Sequence, residues 1–218
     1  MPLSSAAVPT KPLLRGVSHE IAAYVALVGW AVLSTVARTA HARSAALTYG
    51  GTLFGLFAVS ALYHRPVWSH RARRILWRLD HSAIFFLIAG TYTPLCLLLP
   101  ERLGRVTLAI IWGGAAAGVL VSLAWVTAPK PLMATLYVLL GWVVVPVLPA
   151  LGRALGAGGL ALLMAGGLMY TVGAVVYARR RPDPFPTIFG FHEIFHLLVV
   201  AAAACHFAVV TAALRVLP

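Results

Sequence analysis

The chain has 218 residues, of which 61% are hydrophobic and 10% charged, and its mean hydropathy is +0.91. A water-soluble fold of this size has too little polar surface to cover so much apolar side chain, so a soluble enzyme or binding module is excluded and one integral membrane domain is expected. The net charge of +12 would point to nucleic acid in a soluble protein. Here the basic residues lie in the breaks between apolar runs, where they set topology and meet lipid head groups, so membrane lipids and not nucleic acid are the expected partners.

Residues 1–18 contain Pro2, Pro9 and Pro12 and no apolar stretch of the signal-peptide kind, so they are expected to form a short disordered cytoplasmic tail. Residues 19–218 are expected to form a single all-α membrane domain. Its apolar runs fall at roughly 20–37, 45–64, 80–99, 104–126, 132–150, 158–178 and 190–214, which predicts a bundle of seven transmembrane helices. The fifth and sixth runs are divided by Pro146, Pro149, Gly152 and Gly156, which make either a loop or a kinked helix end. Gly51 with Gly55 and Gly114 with Gly118 are small residues four apart that let neighbouring helices approach closely. Pro94 is expected to kink the third helix, with Thr91 or Thr93 near enough to satisfy the freed carbonyl. The stretch from Arg65 to Arg78 mixes Arg with Trp68 and Trp77 and suits an interfacial segment lying on anionic lipid, or an orientation signal alone. Cys96 and Cys205 sit singly in apolar runs and form no metal or disulfide motif.

Topology follows from the cations, because positive loops stay cytoplasmic. Eleven collect on one side (Lys11, Arg15, Arg65, Arg71, Arg73, Arg74, Arg78, Lys130, Arg179, Arg180 and Arg181) and six on the other (Arg38, Arg43, Arg102, Arg105, Arg153 and Arg215). The N-terminus is therefore expected inside, the C-terminus outside, and the protein in the cell (inner or plasma) membrane as a multi-pass protein.

Ionisable groups within or at the edge of spans are costly and mark function. His64 ends the second span, Asp80 begins the third, and His192 and His196 lie in the first turns of the seventh. The predicted topology delivers all four to the cytoplasmic side. His192 and His196, at i and i+4, face the same way one turn apart, which a metal ion can bridge, and His64 would be a third ligand. Three imidazoles leave a fourth tetrahedral position open for water, as in catalytic zinc sites, although copper, nickel or iron would also suit them. Ser60 lies one turn before His64 on the same face, and Asp80 could orient or deprotonate the water. The bland alternatives are a helix-end histidine pair, an N-cap role for Asp80 and a hydroxyl of Ser60 bonded one turn back.

The string from His192 to His196 also fits HExxH, in which Glu193 would be the general base of a metalloprotease. Glu193 lies off the His192 face, however, and an acidic group at a helix N-terminus is the favoured account. His206 is about 15 Å deeper by helical rise, too far to share the metal. His81 points away from the Asp80 face and is expected to pack or bond locally. His19, Glu20, His41 and His70 carry little signal.

The segments Ser60-Ala-Leu-Tyr-His64, Asp80-His81-Ser-Ala-Ile84 running to Ala89-Gly90-Thr91-Tyr92-Thr93-Pro94, and His192-Glu193-Ile-Phe-His196 together make the chain resemble the hemolysin III family. That family is the bacterial branch of the progestin and adiponectin receptor (PAQR) superfamily. The resemblance implies seven helices with a cytoplasmic N-terminus and zinc held by His64, His192 and His196, with Asp80 and Ser60 at the water. It implies zinc-dependent hydrolysis of a lipid amide or ester of the ceramidase kind, so Asp80 and Ser60 are the expected catalytic residues. The other readings it leaves open are a non-enzymatic sensor or regulator of membrane state with structural zinc, and a cytolytic, hemolysin-like factor.

Overall fold

A computed structural model describes residues 11–217, and no strand occurs among them apart from an isolated Phe185–Phe189 bridge. The order is α1 (Val17–Val36), α2 (Ala40–His64), α3 (His70–Cys96), α4 (Glu101–Ala124), α5 (Lys130–Gly141), a 3-10 segment (Trp142–Val147), α6 (Leu148–Arg179) and α7 (Phe191–Val216). Five helical segments are long and apolar enough to cross a membrane: α1, α2, α4, the run Lys130–Arg179, and α7. The expected all-α membrane bundle is therefore present.

The run Lys130–Arg179 has 50 residues, which as a straight helix would span about 75 Å, more than twice a hydrocarbon core. It does not run straight. Gly156 adopts φ 69 and ψ 175, a conformation open to glycine and strained for residues with a Cβ. Beyond it the chain returns along its own path: Trp142 Nε1 donates to Thr171 Oγ1 at 2.9 Å, and Lys130 Nζ sits 4.8 Å from the centre of the Tyr177 ring. Of the alternatives for this boundary, a sharp glycine reversal inside a nearly continuous helical run is the one found.

α3 starts ten residues ahead of the expected third span. Ser69 caps it, its hydroxyl accepting from Ala72 N at 3.3 Å, and no Gly or Pro interrupts the helix from there to Gly90. The arginine-rich stretch is thus, from His70 onward, the first turns of α3 and not a separate interfacial segment. Hydropathy marks the thickness of lipid, not the length of a helix, and so it missed these turns. α3 is also the most polar of the long helices, and it packs against α2, α4, α5 and α7. Among helices, its Ser82, Thr91 and Tyr92 need not face lipid.

Two local expectations change. Thr91 and Thr93 donate to the carbonyls of Leu87 and Ala89, at 2.8 and 2.9 Å, so neither takes the Gly90 carbonyl that Pro94 leaves without its amide. Gly118 packs as expected, for a Cβ there would lie 2.2 Å from the Phe85 ring, but Gly55 faces open space and its neighbour Gly50 is the tight position, 2.1 Å from Trp30. A Cβ at Gly90 would lie 2.0 Å from Thr52 Oγ1, where α2 meets α3. Gly90→Ala should accordingly destabilise the fold by about 1–3 kcal/mol in a thermal-unfolding measurement. An unchanged midpoint would contradict the close α2–α3 contact.

Of the expected N-terminal tail, residues 1–10 lie outside the described residues. The remainder is ordered against the loop before α7, contrary to the expectation of disorder: Leu13 N donates to Thr187 O at 3.0 Å and Leu14 N to Ile188 O at 3.1 Å. Gly16, at φ 82, then turns the chain into α1, and a Cβ on it would lie 2.7 Å from His64 Cβ. Residues 11–16 therefore close over the end of the bundle that carries the histidines.

Candidate metal centre

The histidines are placed by how two helices end. α2 stops at His64 because Arg65-Pro66 follows, and the carbonyls at its end find side-chain donors: Trp68 Nε1 donates to Leu62 O at 2.8 Å, and Lys11 Nζ from the N-terminal segment to Arg65 O at 2.6 Å. α7 begins with two carboxylates on its free amides. Glu193 Oε2 accepts from Gly190 N at 2.8 Å, and Asp183 Oδ1 accepts from Phe191 N at 2.9 Å. With α7 so fixed, His192 and His196 project from its first two turns toward His64.

The three imidazoles meet. One ring nitrogen from each of His64, His192 and His196 lies within 4.8 Å of the others, and the Nε2 atoms of His64 and His192 are 3.2 Å apart. Metal–nitrogen bonds of about 2.0–2.1 Å in tetrahedral geometry place ligand nitrogens about 3.3 Å apart, so this separation fits a shared ion. The buried Nδ1 of His196 has no hydrogen-bond partner among the described residues, as expected of a donor set designed around a further group. The residues present therefore fit a metal ion.

Asp80 and Ser60 stand beside the triad. Asp80 Oδ2 is 3.8 Å from His64 Nε2, and the Ser60 hydroxyl, 2% exposed, lies between Asp80 and α1. The partner on α1 is His19, whose Nδ1 is 2.8 Å from Ser60 Oγ and whose ring stacks on His196 with centroids 3.8 Å apart and planes 6° from parallel. His19, which carries little signal in the sequence, is buried in the wall of the site. Its only sequence signal is a histidine in the first turn of a span, which becomes informative once α1 is known to lie against α2 and α7.

The remaining candidates follow the sequence in part: His81 makes the expected local bond, but it does not point away from Asp80, its Nδ1 lying 3.8 Å from Asp80 Oδ2 in the same cavity wall. The local bond joins Nδ1 to Trp77 O at 3.0 Å, and Nε2 is 3.5 Å from the Tyr177 hydroxyl. His206 lies deeper, with Nε2 3.1 Å from Leu163 O, and is no part of the triad. Glu193 turns away from the histidines: besides capping α7 it pairs with Arg15 at 2.5 Å and borders an apolar groove between α1 and α7. That geometry removes it from the place of a protease base. Glu193→Gln should lower stability by about 1–3 kcal/mol in a thermal-unfolding measurement, since Arg15 loses its partner. Unchanged thermal stability would contradict the capping and pairing role and reopen the HExxH reading.

The triad opens onto a cavity of about 340 Å³ that runs from Arg15, Arg73 and Lys130 at one end, past the histidines and Asp80, to Leu163 and His206 deep among the helices. Its deep part is mostly apolar, with Tyr170, Thr171 and His206 among the lining residues, and its mouth is basic.

The profile of the family "Haemolysin-III related" matches residues 8–207. The chain belongs to that family. Within it, the chain is similar to "Hemolysin-3" of Bacillus cereus, 33% identical over 199 residues that cover 89% of this chain and 88% of that protein. It is 28% identical to the human "Monocyte to macrophage differentiation factor" over 197 residues, 87% of this chain and 79% of the relative. It is also 34% identical to the rice "Heptahelical transmembrane protein ADIPOR2" over 172 residues, 70% and 74% of the two chains. These relatives place the haemolysin III chain in the PAQR superfamily, as its motifs implied.

Proposed function

We propose that this haemolysin III-type protein is a zinc-dependent membrane hydrolase that cleaves a lipid amide or ester, with His64, His192 and His196 as the metal ligands. The observation that carries the reading is the three-histidine cluster on the wall of a cavity whose other end is apolar, with one carboxylate, Asp80, beside it. A metal tie with no chemistry would need neither the cavity nor the carboxylate. Zinc at this site would polarise the acyl carbonyl and acidify a water molecule.

The chain's own groups supply the rest. The apolar cavity holds the acyl chain and excludes bulk water, fixing the carbonyl beside the histidines. Asp80 Oδ2 accepts the proton of the attacking water and passes it to the leaving amine or alkoxide oxygen. Ser60, anchored by His19, donates to Asp80 or to the water and holds the carboxylate in position. His81 and Tyr177 pack behind Asp80, His81 Nδ1 lying 3.8 Å from Asp80 Oδ2.

The topology belongs to the same proposal. The Lys130–Arg179 hairpin supplies two crossings and α3 a further one, giving seven with α1, α2, α4 and α7. A heptahelical relative supports that count. The cation excess on the histidine side supports an N-terminus and a site at the cytoplasmic face of the cell membrane. The test is release of fatty acid from short fluorogenic lipid amides and esters by purified protein. Turnover that chelation stops and added zinc restores is expected. No turnover of any acyl substrate by protein that holds its metal would overturn the hydrolase and favour a structural tie between α2 and α7.

A further inference from the structure

The imidazole of His19 is held on three sides. Its Nδ1 is 2.8 Å from Ser60 Oγ, its face lies on the His196 ring, and the Phe57 ring meets it edge-on with centroids 5.0 Å apart. Only 3% of the residue is exposed. Its Nε2 is buried with no hydrogen-bond partner among the described residues, and the His196 carbonyl nearby falls outside hydrogen-bond geometry. These contacts fix where the ring hydrogen sits. A hydrogen on Nε2 would be a buried N–H without an acceptor, which folded proteins rarely tolerate, whereas a bare ring nitrogen is the lesser loss. The Ser60 hydroxyl leads to the same answer. It has one hydrogen to give, and Asp80, on its other side, is a carboxylate that can only accept while ionised. With that hydrogen turned to Asp80, Ser60 Oγ must accept from His19, so Nδ1 carries the N–H. The parallel ring contact has a separate consequence. His196 Nδ1 has no partner among the described residues, whereas a metal-binding histidine commonly has its ring fixed by a hydrogen bond at the nitrogen that does not ligate. Stacking on His19, with centroids 3.8 Å apart and planes 6° from parallel, fixes the ring in place of that bond.

We propose that His19 is a positioning residue with two separable roles: its Nδ1–H aims the Ser60 hydroxyl at Asp80, and its ring sets the plane in which His196 meets the metal. The inference rests on reading the triad as a metal site with Asp80 as its base. It adds a third helix to the site, so that α1, which supplies no ligand, aligns both the base and one ligand through a single side chain. An imidazole suits this place because it joins a flat face to a directional N–H; no aliphatic or hydroxyl side chain offers both.

Three substitutions separate the two roles. His19→Phe keeps a flat ring against His196 and loses the donor, His19→Asn keeps an amide N–H close to the Nδ1 position and loses the face, and His19→Ala loses both. In full-length protein in detergent, zinc affinity is measured by competition with a chelating dye, and turnover of a short fluorogenic lipid amide is measured at saturating zinc. His19→Asn and His19→Ala should bind zinc about 10- to 100-fold more weakly, while His19→Phe stays within a few-fold of wild type. Turnover should reverse that order: kcat falls about tenfold or more in His19→Phe with KM little changed, and His19→Asn recovers most of it. In a Ser60→Ala background His19→Phe should lower kcat no further, because both changes break the same bond. Nitrogen-15 NMR of histidine-labelled wild-type protein, in which the His19 signals are those that His19→Phe lacks, should show the hydrogen on Nδ1. The NMR reading needs neither turnover nor zinc, so the proposal can fail while the hydrolase stands, and the hydrolase can fail while the proposal stands. A hydrogen on Nε2 overturns the proposal. So does an equal loss of zinc affinity in His19→Phe and His19→Asn, which would reduce His19 to packing, and so do additive losses of kcat in His19→Phe and Ser60→Ala.

Discussion

Asp80→Ala should lower turnover of the lipid substrate by about 10²- to 10⁴-fold while metal content stays at the wild-type level, the range expected when a positioned acid–base group is removed from a hydrolytic site. The carboxylate is poised for that role. Its Oδ2 lies 3.8 Å from both His64 Nε2 and His81 Nδ1, beside the three histidines. No other carboxylate among the described residues lines the cavity. Steady-state kinetics with elemental analysis of the same preparation provide the check. Asp80→Asn should be nearly as inactive, because an amide keeps the shape and cannot take the proton. Activity within a few-fold of wild type in both variants would make Asp80 a structural residue and remove the proposed base.

A second large effect concerns stability. The triad joins the last residue of α2 to the first two turns of α7, segments 128 residues apart in sequence, so a bound ion would tie these two helices together at one end of the bundle. An ion present at about a thousand times its dissociation constant stabilises the folded state by about 4 kcal/mol, which for a chain of this length corresponds to roughly 8–16 °C in the midpoint of thermal unfolding. Chelation should lower the wild-type midpoint by that order. His196→Ala should start from the lower midpoint and not respond to the chelator. Equal responses of wild type and variant would show that the chelator acts elsewhere.

How far the sequence reaches can be seen residue by residue. The spans are visible because lipid imposes long apolar runs, and His64, Asp80, His192 and His196 are visible because ionisable groups in such runs are rare. The i, i+4 spacing of His192 and His196 survives intact, since it depends only on local helix geometry. What fails depends on contacts distant in sequence. His19 has no local feature to distinguish it from His41 or His70, and its role appears only when α1 brings it 2.8 Å from Ser60. Lys130 counts only as a topogenic charge until the chain reversal at Gly156 lays Tyr177 beneath it. The early start of α3 is invisible to hydropathy because arginine is a good helix former and a poor membrane residue, and a single scale reports only the second property. Glu193 shows the converse. A motif that fits a protease base is instead a helix cap paired with Arg15, and the deciding facts are a hydrogen bond to Gly190 and a partner 178 residues away.

The central claim is that His64, His192 and His196 hold one zinc ion. It is tested most directly by elemental analysis of protein purified in detergent without chelator, wild type beside His64→Ala, His196→Ala and Asp80→Ala. About one zinc per chain is expected in the wild type and in Asp80→Ala, and a near-complete loss in both histidine variants. Folded wild-type protein free of metal, or zinc retained after loss of His64 and of His196, would contradict it.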